Sequence, residues 1–585
     1  MGLDKNYSED KRMNKQTFYN PYPIYPNSLG QINSGYASLI EILESHPSSI
    51  WFLDGPSFLD WQHIAKELCK SLKEYAFFDF SLCRIPTSSI FTLLTDIISD
   101  SSPFGKYYHG HLDKFFDEQK TNSLKSLVEE KIARKNRVIC YGFGSSLIRI
   151  DNSALAWIEP ARIEIEALAA SDKFSLLACP PFSPQKSYEY VDASLIRKHR
   201  IGLLDQMDLY IDAHALTQPV FINGDSFRKN LDELSTQPFR PQPIFYSKIW
   251  GGQWLKDHLK VGETLINIAG SYEFAQRENR ICLAQDNTRM EIPLVTLIDH
   301  SPHNILGKNI FEKFGSEFPL RLNLTDTIKG GDLSCQVHPT EAYTKAHFGL
   351  KAFMDEKYYV IHSTRNAKIH LGFKDRIDPS TFREQVTRAR DDAKAFEVNQ
   401  FIQDWPSQKG RVFYIPPGSV HYIGSGNLVM EIIASNILFT FRLYDHLREK
   451  LGTDKRILHI DEAWDTLDKK IQTDLVKDSL IHDPEPFSEI GNWNEFTPPL
   501  FGNSYIKISV VKFFTTCTNN TMGDKFHLLS LVDGESITVI SKAGDHPLNY
   551  LETLLIPACI GHYQLINASS SSCTLLITTI DQFPD

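Results

Sequence analysis

Residues 330–343 read GGDLSCQVHPTEAY, and the reading of this stretch decides the fold assigned to the C-terminal half of the chain. Gln336 and His338 stand two apart in a short apolar run that Pro339 ends. Side chains of a strand alternate between its faces, so both residues would reach one point beside a sheet. Two more residues in strand-like context could meet them there. Glu356 opens EKYYVIHS, and His421 follows YIPPGSV, where a Pro-Pro-Gly turn would lift the histidine to a strand mouth. Imidazole, carboxylate and amide oxygen suit zinc or a similar divalent ion, and with no cysteine in the set the site would be open and catalytic, not closed and structural. The competing reading is plain: the chain has 20 histidines, and one beside an apolar strand is ordinarily a core or surface residue. The QxH spacing alone does not separate the two.

Working outward, short strands bounded by Gly and Pro fill the region from 320 to 580. They include EKYYVIHS, AKIHLGF, GRVFYIPPG, LVMEIIAS, FTFRLYD, YIKISVVKFF, KFHLLSLVDG, ESITVIS, ETLLIPA, GHYQLIN and CTLLITTI. Such spacing predicts double-sheet β architecture of the jelly-roll kind. One mainly helical interlude, about 378–406, separates two groups of strands, and the strands after 485 suffice for a second small barrel. Before this region the texture differs. Residues 1–35, rich in Tyr, Asn and Pro, read as an extended lead-in. From 36 to about 215, apolar runs such as SSIWFLDGP and NRVICYGFG alternate with helical patterns such as DWQHIAKELCKSLKEY, which predicts an α/β domain with a parallel sheet. STQPFRPQPIFY, 235–246, reads as a linker. The expected division is therefore a lead-in (1–35), an α/β domain (36–235), a β domain with a helical insertion (236–484) and a small β domain (485–585).

The bulk properties narrow the function classes. A chain of 585 residues calls for several domains. The net charge of −11 and pI near 6.0 argue against a general nucleic-acid binder. Nine scattered cysteines without a CxxC read as reduced thiols. The N-terminal residues lack an apolar h-region, Asn6 stands where a myristoylation signal wants Ser or Thr, and no window approaches a membrane span, so neither a signal peptide nor a membrane partner is expected. The cytoplasm is the default location. Oligomeric state is not legible.

Taken jointly, LSCQVHP, EKYYVI, FYIPPGSVHYIG, LVMEIIAS and FRLYD resemble type I mannose-6-phosphate isomerase, a zinc cupin family, in order and context. PIFYSKIWGGQWLKDHL resembles that family's opening segment. GSYEFA resembles its Glu-Ser-Trp-Glu motif, with Tyr272 in place of the tryptophan. FHLLSLVDGE and LLIPACIGHYQL resemble its C-terminal half-barrel, so the similarity spans about 240–585. The resemblance implies one Zn2+ held by Gln336, His338, Glu356 and His421, catalytic roles for Arg442 and Glu431, and Ser334 beside the phosphate of a sugar-phosphate substrate. Each has an ordinary alternative. Arg442 could pair with Asp445 at a strand end, Glu431 could belong to a buried pair, and Ser334 could be a simple core serine.

Some positions depart from the family pattern. Met354 and Asn323 replace two phosphate-binding lysines, which removes charge-assisted contacts. Lys345, Lys351 and Arg321 are nearby cations that could substitute. Arg442 also lies one residue further from Glu431 than in the family, which suggests a bulge or shifted register. In the front domain, WFLDGPSFLDW (51–61) resembles the start of a P-loop nucleoside or nucleotide kinase, but Gly55 is followed by Phe58, Leu59 and Asp60 with no Lys-Ser/Thr pair. YGFGSSLIR reads as a strand-ending turn, and RKHR (197–200) as a solvated helix face before a lid-like cluster. The expectation is a cytoplasmic zinc-dependent isomerase of mannose 6-phosphate and fructose 6-phosphate, or of a close relative, fused to a degenerate kinase-like domain. The alternatives are a non-catalytic sugar or sugar-phosphate sensor and, less favoured, a phosphotransferase in the front domain.

Overall fold

The structure, a computed structural model, describes residues 19–99, 102–161, 176–350, 354–435, 437, 439–448, 456–484 and 492–581. Lys351 and the first eighteen residues of the expected lead-in lie outside them. No helix among the described residues is long and apolar enough to cross a membrane.

The front region is a sheet of β1 (Ile50–Asp54), β2 (Tyr75–Asp79), β3 (Arg137–Tyr141), β4 (Ala154–Glu159), β5 (Leu209–Asp212) and β6 (Val220–Asn223), with Asn33–Ser34 at one edge. From that edge the order is β6-β5-β4-β1-β3-β2. The first five strands pair in parallel, β6 runs antiparallel to them, and the edge strand pairs antiparallel with β6. Continuous apolar strands such as IWFLD belong here because both sheet faces are covered. Phe52, Cys140, Leu155 and Trp157 enter one buried cluster, while Trp51, Leu53, Ile139 and Ala156 enter the other.

The kinase reading of this domain gains no support. The Asp54 carboxylate accepts the backbone N–H groups of Gly55 (2.8 Å), Gly144 (2.9 Å) and Ser146 (3.0 Å) and contacts His199 Nε2 at 2.8 Å. The donors at the strand-end turn are thus already satisfied by an internal anion. RKHR also differs from the solvated face expected. It lies on α1 (Ala193–Leu203), where Arg200 is buried between Glu159 (3.0 Å) and Asp299 (2.8 Å) and Arg197 bonds Asp299 (2.7 Å) and Glu317. Asp299 is carried by α2 (Leu294–His300), so α1 is ionically tied to the following domain. Sequence pattern could not reveal partners a hundred residues away.

The expected linker is equally tied down. Phe239 is fully buried and exchanges backbone hydrogen bonds with Leu555 (3.0 and 2.8 Å). Arg240 bonds Glu552 at 2.8 Å and stacks on Tyr19, whose hydroxyl donates to Glu273 at 2.7 Å. Lead-in, linker, middle region and C-terminal region meet in this network.

The middle region is a pair of facing sheets. One holds β7 (Ile244–Tyr246), β8 (Gly270–Phe274) and β9 (Arg321–Asp326); the chain then passes to the other with β10 (Cys335–Val337). There follow β11 (Glu356–Ser363), β12 (Lys368–Phe373), α3 (Pro379–Asp392), β13 (Ile402–Pro406), β14 (Val412–Ile415), β15 (His421–Ile423), β16 (Asn427–Ile433), β17 (Phe441–Tyr444) and β18 (Ile481–His482). The sheets are ordered β18-β14-β11-β16-β9-β8-β7 and β13-β12-β15-β10-β17. The interlude expected to be helical thus ends in a strand, β13, which its QDW polar stretch concealed.

The C-terminal strands are β19 (Trp493–Phe496), β20 (Ile506–Phe513), β21 (Thr516–Asn520), β22 (His527–Asp533), β23 (Ser536–Ser541), β24 (Gly544–Asn549), β25 (Thr553–Ile556), β26 (His562–Ile566) and β27 (Cys573–Ile580). They form sheets β19-β20-β27-β22-β25 and β21-β26-β23-β24 around Phe513, Leu529, Val539, Leu565 and Leu575.

His527 is buried in this barrel, its Nδ1 2.8 Å from the Tyr563 hydroxyl. Burial, with Lys525 and Lys507 acting the same way, pushes it down to about 3. A depressed histidine contributes stability that is present above its unfolded value of about 6.5 and lost as pH falls toward the folded value. Hydrogen-exchange mass spectrometry of peptides covering β22 is expected to show protection falling between pH 7 and 4.5 by roughly 1–2 kcal/mol more in wild type than in His527→Gln.

Candidate metal centre

Strand register explains how residues distant in sequence meet. In β10, Gln336 is paired with His421 of β15 on one side and with Arg442 of β17 on the other. Directly opposed residues project from the same face with Cβ atoms about 4.5–5.5 Å apart, so His421, Gln336 and Arg442 form a row across the sheet. The facing sheet carries two rungs. Glu356, Ile433 and Arg321 are paired in one; Tyr358, Glu431, Asn323 and Tyr272 are paired in the next, on the same face.

The two faces meet at Glu356. Its Oε2 lies 3.1 Å from Nε2 of His338 and 3.5 Å from Nε2 of His421. The ligand atoms of His338, Glu356 and His421 all lie within 4.8 Å of one another, and all three residues are buried. Gln336, half-buried, brings its side-chain amide nitrogen to 3.4 Å from His421 Nε2. Turning that amide over, a change of assignment that reverses only O and N, would present an oxygen there.

The imidazoles are preset for a cation. His338 Nδ1 lies 2.7 Å from the Phe439 carbonyl and His421 Nδ1 lies 2.9 Å from the Ser419 carbonyl. A carbonyl only accepts, so each Nδ1 carries the proton and each Nε2 is turned, with its lone pair, toward the cluster. This second layer of hydrogen bonds is what a metal-binding histidine requires. Burial, then the neighbouring His338, pushes His421 down to about 4, which keeps it neutral as a ligand must be. Burial acts on His338 in the same sense, but the Glu356 carboxylate outweighs it and raises His338. The donor set, two imidazoles and a carboxylate with an amide alongside, fits a divalent ion of the zinc type.

The remaining predicted residues surround the cluster. Glu431 is raised to about 8 by burial and the Glu356 charge, against hydrogen bonds from Thr325 and Asn323. Arg442 does not pair with Asp445, which is bonded by Arg448 (2.9 Å) and Arg456 (3.0 Å). Burial and the Arg456 charge lower its guanidinium to about 10, and its buried Nε has no hydrogen-bond partner. No carboxylate among the described residues pairs with it. The register slip also falls beside it, since Gln336 faces Arg442 while Cys335 faces Tyr444, leaving Leu443 as the extra residue. Ser334 is buried just before β10, two residues from Gln336.

At the replaced lysine positions, Met354 is fully buried, and Asn323 Nδ2 lies 3.5 Å from Glu431. Arg321 bonds Glu278 at 2.9 Å and lies over the Tyr272 ring, while Lys345 is exposed. Glu278 and the Phe439 and Ser419 carbonyls escaped sequence reasoning. Backbone carbonyls carry no residue signal, and Glu278 sits in a loop with no motif around it.

Residues 35–236 match a family model described as a domain of unknown function, DUF8485. The chain is 26% identical over 346 residues to the mannose-6-phosphate isomerase ManA of Bacillus subtilis (strain 168), covering 57% of this chain and 96% of that protein. It is 28% identical over 232 residues to the mannose-6-phosphate isomerase of Streptococcus mutans, covering 40% and 68%. Among solved structures, the B. subtilis enzyme matches at 20% identity and TM-score 0.44 over 58% of this chain and 99% of that one. A Salmonella typhimurium mannose 6-phosphate isomerase, described as bound to its substrate and a zinc atom, matches at 12% identity and TM-score 0.45 over 60% and 100%. More than half of the chain is therefore similar in sequence to mannose-6-phosphate isomerases.

Elemental analysis after dialysis against trace zinc is expected to find about one ion per wild-type chain and none retained by His421→Ala, since removing one imidazole opens the donor set. Stoichiometric zinc in that variant would remove His421 from the site.

Proposed function

We propose that the chain is a zinc-dependent aldose–ketose isomerase of the cupin type. Its substrates are mannose 6-phosphate and fructose 6-phosphate or a close sugar-phosphate relative, and it works in the cytoplasm. The observation that carries this reading is the convergence of His338, Glu356 and His421 on one point, flanked on the same faces by Gln336, Glu431 and Arg442. The similarity to mannose-6-phosphate isomerases supports it.

Isomerisation moves one proton between adjacent carbons and another between their oxygens, through an enediolate. Gln336, His338, Glu356 and His421 would hold the ion, which when bound offsets the negative charge that develops on the substrate oxygens. Glu431, one rung from Glu356 on the same face, is the candidate to take the proton from one carbon and return it to the next. Arg442, without a carboxylate partner among the described residues, can hold the developing charge without joining the proton transfer. Ser334 would contact the substrate.

A non-catalytic sugar-phosphate sensor using the same pocket is the second reading, and Met354 and Asn323 at the expected lysine positions favour it. The front domain would serve packing, regulation or partner contact. The occupied donors around Asp54 speak against phosphate transfer there.

Purified protein is expected to convert mannose 6-phosphate to fructose 6-phosphate. Glu431→Gln and Arg442→Ala should each lower kcat by about 10²-fold or more while zinc content stays unchanged. Bound zinc with no turnover of any hexose phosphate would favour the sensor. Turnover untouched by Arg442→Ala would dismiss its catalytic placement.

A further inference from the structure

Between the front domain and the facing-sheet domain lies a cavity of about 1050 Å³. Tyr188 and Lys198 line it from the front domain, and Ile244, Tyr272, Arg277 and Glu278 from the other side. Register places this cavity at the end of the rung that leads to the candidate centre. Ile244 pairs with Tyr272, Tyr272 with Asn323, and Asn323 with Glu431. Strands lie about 4.8 Å apart, so Tyr272 is roughly 10 Å from Glu431 along one sheet face. An extended hexose phosphate covers that span.

Its charges differ in how firmly they are held. Arg197 is bonded to Asp299 and Glu317, Arg200 to Glu159 and Asp299, and Arg321 to Glu278. Arg277 is not so committed: its nearest carboxylate oxygen, on Glu189, is 3.6 Å away and already accepts the Tyr107 hydroxyl at 2.5 Å. Lys198 is exposed and has no ion pair among the described residues. Two loosely held cations, one from each domain, therefore face one cavity. Glu278 and Glu317, also on its wall, each keep one buried carboxylate oxygen without a partner. Cations for a phosphate and free acceptors for hydroxyl groups are the complement of a phosphorylated sugar.

We propose that this interdomain cavity is the outer half of the substrate site. Arg277 and Lys198 hold the substrate phosphate, and Glu278 and Glu317 accept hydroxyl hydrogens. The inference rests on the isomerase reading and gives the front domain a direct part in substrate binding.

The test uses the full-length, zinc-loaded protein. Calorimetry with inorganic phosphate and steady-state kinetics with mannose 6-phosphate are compared among wild type, Arg277→Gln/Lys198→Gln and Arg277→Lys. The double variant should raise both the phosphate Kd and the KM by about tenfold or more, with zinc content unchanged, and Arg277→Lys should keep most of the affinity. If wild type turns substrate over and the double variant keeps its KM and phosphate Kd within about twofold, the cavity assignment is overturned and the isomerase reading stands. If wild type turns nothing over but binds phosphate, and the double variant loses that binding, the isomerase reading falls and the anion site stands. A wild type that binds no phosphate overturns the cavity assignment whatever its turnover.

Discussion

A single carboxylate, Glu356, lies where the two facing sheets meet, within 3.1 and 3.5 Å of imidazoles carried by the opposite sheet. Burying a carboxylate without compensation is costly, and these two histidines are themselves buried. Their Nδ1 hydrogens are committed to backbone carbonyls, so their Nε2 lone pairs are aimed inward with only Glu356 and Gln336 for company. Such a cluster of acceptors is strained without a proton or a cation among them. His338 resolves the strain by its raised proton affinity, and a divalent ion would resolve it more completely. The register of the two sheets holds this carboxylate opposite the histidines and sets Glu431 and Arg442 on the faces around it.

The remaining modules are joined by buried ions rather than by flexible connections. Arg240 lies between Glu273 and Glu552, under the ring of Tyr19, so one guanidinium links four segments of chain. Arg197 and Arg200 do the same between α1 and α2. Breaking a buried pair of this kind by removing one partner typically costs about 3–5 kcal/mol, because the other charge is left uncompensated. The front domain is therefore fixed against the facing sheets, and its α1 helix becomes a wall of the interdomain cavity instead of a separate appendage.

Much of this was legible in the sequence, and the part that was not has a physical reason. Strands such as Glu356–Ser363 and Cys573–Ile580 follow directly from apolar, β-branched runs, and the parallel front sheet from continuous apolar segments such as IWFLD. Gln336 and His338 are identifiable by their two-residue spacing, although β10 itself stops at Val337, and His421 by its turn. What alternation cannot give is pairing between strands: that His421 and Arg442 flank Gln336 is a matter of register. The stretch around Phe239 reads as a linker because of its prolines, yet its buried partners lie about three hundred residues away. RKHR looked solvated for the same reason, since Glu159 and Asp299 carry no local signal.

As proposed, His338, Glu356 and His421, with Gln336, would enclose one divalent ion between the sheets. Anomalous diffraction at the zinc edge from crystals of the zinc-loaded protein tests it most directly. One strong peak is expected about 2.0–2.2 Å from both Nε2 atoms and a Glu356 oxygen. A peak elsewhere, or imidazoles bonded to the carboxylate with no density between them, would contradict it.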